Sequence, residues 1–162
     1  MNSNPKSSYY WFVLYTKPKS EKKLAQQLNA DGIEAYCPVQ TEVKYWSDRK
    51  KKVETPLLTS MIFVHLQDKD RNRVFQRRHA VRYLHWLGKP AKVTKEEVES
   101  LKSLVEDSQY KKHRMDLLKP GEKLDMTHLG FEQVEGTVKF VNERECWMVL
   151  EQLGYVVKFK KR

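Results

Sequence analysis

Residues Tyr9–Thr16 (YYWFVLYT) are the most constraining stretch of this chain. They are rich in aromatic and β-branched residues over strand length, so the N-terminal part must build a sheet. Pro18 follows, with Ser20, Glu21 and Lys22, which suits a first helical turn because proline's missing N–H is not needed there. Leu24, Ala25 and Leu28 then recur at helical spacing, and Gly32 closes the helix. Ile33–Pro38 returns to a strand pattern. Val39–Tyr45 and Val53–Leu66 read as two strands of a hairpin joined across WSDRKKK, whose four consecutive cations give it a basic tip.

Asp68–Arg78 can form a short helix with Val74 and Phe75 as its buried side, and Val81–Leu87 reads as a strand closed by Gly88 and Pro90. Thr94-Lys95-Glu96-Glu97 matches a capping box ahead of Val98, Leu101, Leu104 and Val105 at helical spacing. The order β-α-β-β-β-α-β-α predicts an α+β fold, with helices packed on a mostly antiparallel sheet. Residues 108–116 (SQYKKHRMD) lose this periodicity and read as a linker. Beyond them, Glu122–Thr127, Gln133–Val141, Cys146–Leu150 and Tyr155–Phe159 read as short strands, with turns at Gly130, 142–144 and Gly154. Four or five such strands in so short a segment suggest a small β-barrel. The plan is a disordered tail over 1–8, a domain over 9–107, a linker over 108–116 and a second domain over 117–162.

Net charge is +10 with a pI near 9.5, and the charge is unevenly placed. Residues 1–107 carry twenty basic and thirteen acidic groups, whereas 117–162 carry eight and seven. A basic N-terminal part points to a polyanionic neighbour such as nucleic acid, with a solvated basic face as the alternative. No apolar run is long enough to span a bilayer, and no apolar signal segment opens the sequence. Cys37 and Cys146 stand far apart with no CxxC pairing, so both read as reduced thiols of a cytoplasmic protein. Motifs of nucleophilic, metal or nucleotide chemistry are missing, and His65, His79, His85, His113 and His128 make no ligand spacing with the cysteines. The chain is read as a non-enzyme without metal or cofactor.

Taken in order, these segments resemble the NusG family, which has an N-terminal NGN domain, a linker and a C-terminal KOW barrel of SH3-like form. The matching residues are Trp11–Thr16 with Glu21, Lys22 and Leu24; Pro56–Val64; and Val81 through Gly88-Lys89-Pro90-Ala91-Lys92-Val93 into the helix with Glu96, Glu97 and Leu101. The KOW match rests on Gly130-Phe131, Gly136-Thr137-Val138, Trp147–Glu151 and Leu153-Gly154. The hairpin sequence Trp46–Lys51 looks most like specialised paralogues of the UpxY type, antiterminators of polysaccharide operons. Leu58, Thr59 and Met61 stand where the family commonly has Phe, Pro and Tyr, and Gly130-Phe131 lacks an intervening proline.

The resemblance implies a monomeric elongation factor that binds the clamp helices of RNA polymerase and promotes processive antitermination. Within the fold it implies, the polymerase-binding candidates are Tyr15, Met61, Phe63, Leu84, Val98 and Leu101, an apolar set that could equally be core. Candidates for contact with upstream or non-template DNA, or with the polymerase gate loop, are Lys17, Arg49, Lys50, Lys51, Lys52, Arg71, Arg73, Arg77 and Arg78. Trp46 can stack on an unpaired base or pin the hairpin stem, and the second reading is preferred. A ribosomal protein or termination factor is the implied KOW partner. Two alternatives stand: a general NusG assisting pausing or factor-dependent termination, and a KOW-type RNA-binding or ribosome-associated protein. Some family members refold the KOW segment as helices; Tyr155–Phe159 and Thr137-Val138 favour strands here.

Overall fold

A computed structural model of the chain describes residues 8–107, 110–117, 137–141, 143–150 and 155–161. The elements run β1 (Tyr9–Thr16), α1 (Glu21–Ala30), β2 (Glu34–Tyr36), β3 (Val39–Tyr45), β4 (Lys50–Pro56) and β5 (Met61–Gln67). A 3₁₀ helix (Asp68–Gln76) leads to β6 (Ala80–Tyr83), β7 (His85–Trp86), β8 (Lys89–Pro90), β9 (Lys92–Val93) and α2 (Lys95–Glu106). The C-terminal strands are β10 (Tyr110–Leu117), β11 (Thr137–Val141), β12 (Glu145–Leu150) and β13 (Tyr155–Lys161). They fall into two compact units, one drawn from residues 1–37 and 58–95, the other from 38–57 and 96–162.

The first unit is an antiparallel sheet in the order β2-β5-β1-β6, with β9 also pairing to β1. Alternation along the strands sends Phe12 and Leu14 of β1, and Ile62, Val64 and Leu66 of β5, into one core. Leu24, Ala25 and Leu28 of α1 cover them, with Ile33, Val74 and Tyr83 completing the cluster. Fully burying a leucine or isoleucine contributes roughly 1.5–3 kcal/mol, which fixes α1 against this face. The helix stops at a Schellman turn: Ile33 N donates to Leu28 O at 2.9 Å and Gly32 N to Asn29 O at 3.1 Å, with Gly32 at φ 82°. Asn29 then bridges to the backbone of Ala35 through both side-chain atoms, at 2.9 Å each, and so sets β2 beside the helix end.

Three expected elements differ. The strand predicted over Val53–Leu66 is two strands, because β4 ends at Pro56 and Ser60 takes a left-handed conformation (φ 57°) before β5. Lys50, Lys51 and Lys52 therefore lie on β4, and the hairpin tip is Trp46-Ser47-Asp48-Arg49. The helix predicted over Asp68–Arg78 is a 3₁₀ helix ending at Gln76; Val74 is buried while Phe75 is 42 % exposed. At three residues per turn its side chains align at i and i+3, so two adjacent residues do not share a buried side. The strand predicted over Val81–Leu87 splits into β6 and β7, and Leu87 and Gly88, both at positive φ, turn the chain into β8.

In the second unit β3 and β4 pair as a two-stranded hairpin, and α2 buries Glu97, Val98, Leu101 and Leu104. Four antiparallel strands follow in the order β10-β13-β12-β11, with Cys146, Met148, Val149, Val156, Val157 and Phe159 buried. Most of the stretch expected as a linker is β10, which pairs with β13. That pairing is made by backbone hydrogen bonds, which need no apolar alternation to announce them. The expected strand Glu122–Thr127, the turn at Gly130 and residues 1–7 of the expected tail lie outside the described residues.

Candidate functional site

The second face of the first sheet carries the residues that alternate with its core. Cross-strand pairs Trp11·His65, Val13·Phe63 and Tyr15·Met61 line it. Trp11 stacks on His65 (centroids 4.8 Å apart) and Phe63 on Tyr36 (6.2 Å). Leu84 adjoins this set, its N–H donating to Val13 O at 2.9 Å. Tyr15, Met61, Phe63 and Leu84 are therefore brought together, whereas Val98 and Leu101 sit on the buried side of α2 in the other unit. Exposure separates the six. Tyr15 and Leu84 are half-buried, and Met61, Phe63, Val98 and Leu101 are buried. The Arg82 guanidinium lies 4.8 Å over the Tyr15 ring, within cation–π range.

Behind Tyr15 the chain is held by two motif residues far apart in sequence. Buried Glu21, at the start of α1, accepts a hydrogen bond from Ser60 N at 2.8 Å, and Thr16 N donates to Ser60 O at 2.8 Å. The carboxylate also stands at the positive end of the helix. This clamp fixes the left-handed turn at Ser60 and with it the register of Tyr15 on Met61.

The cations divide by what they already touch. Arg77 makes a bidentate pair with Asp31 at 2.6 and 2.7 Å, and that guanidinium holds the Asp31 carboxyl below its ordinary range. Arg71 pairs with Asp68 at 2.6 Å and lies 5.9 Å over Phe12 and 5.8 Å over Tyr83. Burial raises the Tyr83 phenol well above its usual value, and its hydroxyl donates to Arg71 O at 2.7 Å. Arg71 and Arg77 are thus tied into the unit, whereas Lys17, Arg73 and Arg78 are exposed. Arg49, Lys50, Lys51 and Lys52 are exposed on the hairpin of the other unit.

Lys17 and Arg78 converge on a residue that sequence reasoning assigns to ordinary strand or turn duty. The Lys17 N–H donates to His79 O at 3.0 Å. Both ring nitrogens of His79 are shielded from solvent and lack a hydrogen-bond partner. Desolvation, then the positive charges of Lys23, Arg78 and Lys17, push its pKa down. Lys23 thus joins the exposed cations, and the neutral His79 ring sits shielded among them. The one signal in the sequence is that His79 follows Arg77-Arg78 directly. No group of three or more His, Cys, Asp or Glu side chains could hold a metal among the described residues, and no described helix is long and apolar enough to cross a membrane.

The first unit is thus an antiparallel sheet backed by one helix, with a second face of apolar cross-strand pairs and several exposed cations on its loops and helices. Residues 9–102 match the model of the family described as "Transcription termination factor nusG". That match spans more than half of the chain, which belongs to the NusG family of non-enzymatic transcription factors. Among solved structures, one described as "Domain interaction in Thermotoga maritima NusG" is 18 % identical, covers 95 % of this chain and 97 % of that one, and superposes with a TM-score of 0.42. No curated protein matches the chain.

Proposed function

We propose that this protein binds RNA polymerase and promotes processive antitermination. The observation that supports this best is the grouping of Tyr15, Met61, Phe63 and Leu84 on the sheet face that α1 does not cover. Tyr15 and Leu84, the partly exposed members, would meet a partner's helix tip, with Met61 and Phe63 buried behind them. On this reading the clamp helices of the polymerase are that partner, and Val98 and Leu101, buried on α2 of the other unit, are left to its core. Binding that prefers the closed clamp would shift its equilibrium away from pausing and release by the difference in affinity alone. Lys17, Arg73 and Arg78, together with Arg49 and Lys50–Lys52, would meet upstream or non-template DNA or the gate loop, with Arg71 and Arg77 positioning the segment. The likeness of Trp46–Lys51 to UpxY-type paralogues favours polysaccharide operons as targets. The C-terminal sheet is read as part of a KOW barrel for a ribosomal protein or termination factor, in a cytoplasmic monomer.

Retention of core RNA polymerase on the immobilised protein tests the reading. Tyr15→Ala should weaken it by about 1–2 kcal/mol, and because Tyr15 is half-buried the retention is compared at a temperature well below the variant's own thermal midpoint. Met61→Ala removes a buried side chain and must be read beside its loss of stability. Failure of the wild type to retain polymerase would sink the proposal. The family's description as a termination factor favours a second reading, a general NusG that assists release. Transcription through a terminator in vitro separates the two: added protein raises read-through in the first case and lowers it in the second.

A further inference from the structure

We propose that the β3–β4 hairpin is a stacking platform for single-stranded nucleic acid, with Tyr45 and Trp46 receiving unpaired bases between flanking lysines. The inference deepens the reading of this hairpin as a nucleic-acid contact and rests on it. Tyr45 is 74 % exposed, Trp46 59 % and Val43 49 %, so three large apolar side chains stand in water on one short hairpin. A lone two-stranded hairpin is marginal in water, and it would ordinarily use such side chains to cover itself. Here Trp46 N donates to Arg49 O at 2.8 Å and closes the tip, while the indole remains outside.

Register explains how the cations are placed around the rings. Tyr45 faces Lys50 and Val43 faces Lys52, so one side of the ribbon alternates apolar surface with ammonium groups. The Lys50 Nζ lies 5.3 Å from the Tyr45 ring centroid. On the other side Lys44 stands directly opposite Lys51, and like charges in that position oppose pairing. Arg49 adds a fifth cation at the tip, against Asp48 beside it. The ribbon therefore carries a repulsion that a polyanion would relieve and flat apolar rings that paired bases cannot reach. Phosphates with unpaired bases meet both demands. An acidic protein surface would satisfy the lysines and leave the rings without a planar partner.

The test uses the full chain and two probes, a fluorescently labelled oligothymidylate of about twelve nucleotides and a DNA duplex of the same length. The wild type should bind the single strand more tightly than the duplex, with an affinity that falls as salt rises. Tyr45→Ala with Trp46→Ala should weaken single-strand binding by on the order of 10-fold or more and leave duplex binding within 2-fold. Trp46→Phe should retain most of the single-strand affinity. Both side chains are exposed, so an unchanged thermal midpoint is expected in every variant. Equal losses on single strand and duplex, a single-strand loss below 2-fold, or no oligonucleotide binding at low salt would each overturn the proposal. Polymerase retention through Tyr15 is a separate assay, so either reading can fail while the other stands.

Discussion

At the residue scale, the contact most worth breaking is Glu21 to Ser60. A carboxylate with its oxygen 2.8 Å from a backbone N–H, itself buried, holds a left-handed serine that has no glycine to ease it. A hydrogen bond to a charged group contributes about 1.5–3 kcal/mol, so Glu21→Ala should lower stability by about 2 kcal/mol. Urea unfolding should show a lower midpoint at unchanged slope, and a loss below about 0.5 kcal/mol would refute the clamp. Glu21 and the run containing Ser60 are each visible as motif residues. Their meeting is not, because a helix N-terminus and a turn 39 positions away give no periodic signal of contact. Phe75 is the converse case: it is visibly apolar, yet the tight 3₁₀ geometry keeps it out of the core and partly exposed against the Tyr83 ring. His79 is equally opaque, since its environment comes from Lys17 and Lys23 on other elements.

Among the elements, β1, α1 and α2 are legible from periodicity, and β1 has the expected bounds Tyr9–Thr16. The hairpin is legible as a hairpin, but its tip falls before the lysines, because a run of charge does not by itself mark a loop. Lysine is tolerated on an exposed strand, and Lys50–Lys52 lie in β4. The opposed pair Lys44·Lys51 gives this element its own prediction. Lys51→Glu turns a like-charge pair into an attractive one, worth about 0.2–1 kcal/mol to the ribbon. Hydrogen exchange of the hairpin amides should slow in this variant. Single-strand binding should weaken at the same time, and its log–log salt dependence should become shallower by about 0.7 for each phosphate left without its cation. Faster exchange in the variant would show that the two lysines do not oppose each other.

For the molecule as a whole, His79 and Asp31 set two separate windows of acid sensitivity. The folded state holds His79 below its ordinary value near 6.5, so the unfolded chain takes up the proton first as pH falls. Its contribution is present above that value and is lost as pH drops toward the folded pKa. Asp31, held below 3.8 by Arg77, contributes above that value and loses its share only in stronger acid. Calorimetry should therefore show the thermal midpoint declining from pH 7.5 to 5.5, and His79→Gln should flatten that decline. An identical decline in the variant would remove His79 as its origin. The central place of β1 has a further consequence, in the order of synthesis. Its neighbours on one side are supplied by β5 and on the other by β6 and β9, the last of them roughly 75 residues later in the chain. At about 5–20 residues per second, YYWFVLYT leaves the ribosome about 4–15 s before its final partner exists. During that interval an aggregation-prone strand must be kept from pairing with another nascent chain, so the protein's yield in the cell depends on how fast the ribosome traverses residues 17–93.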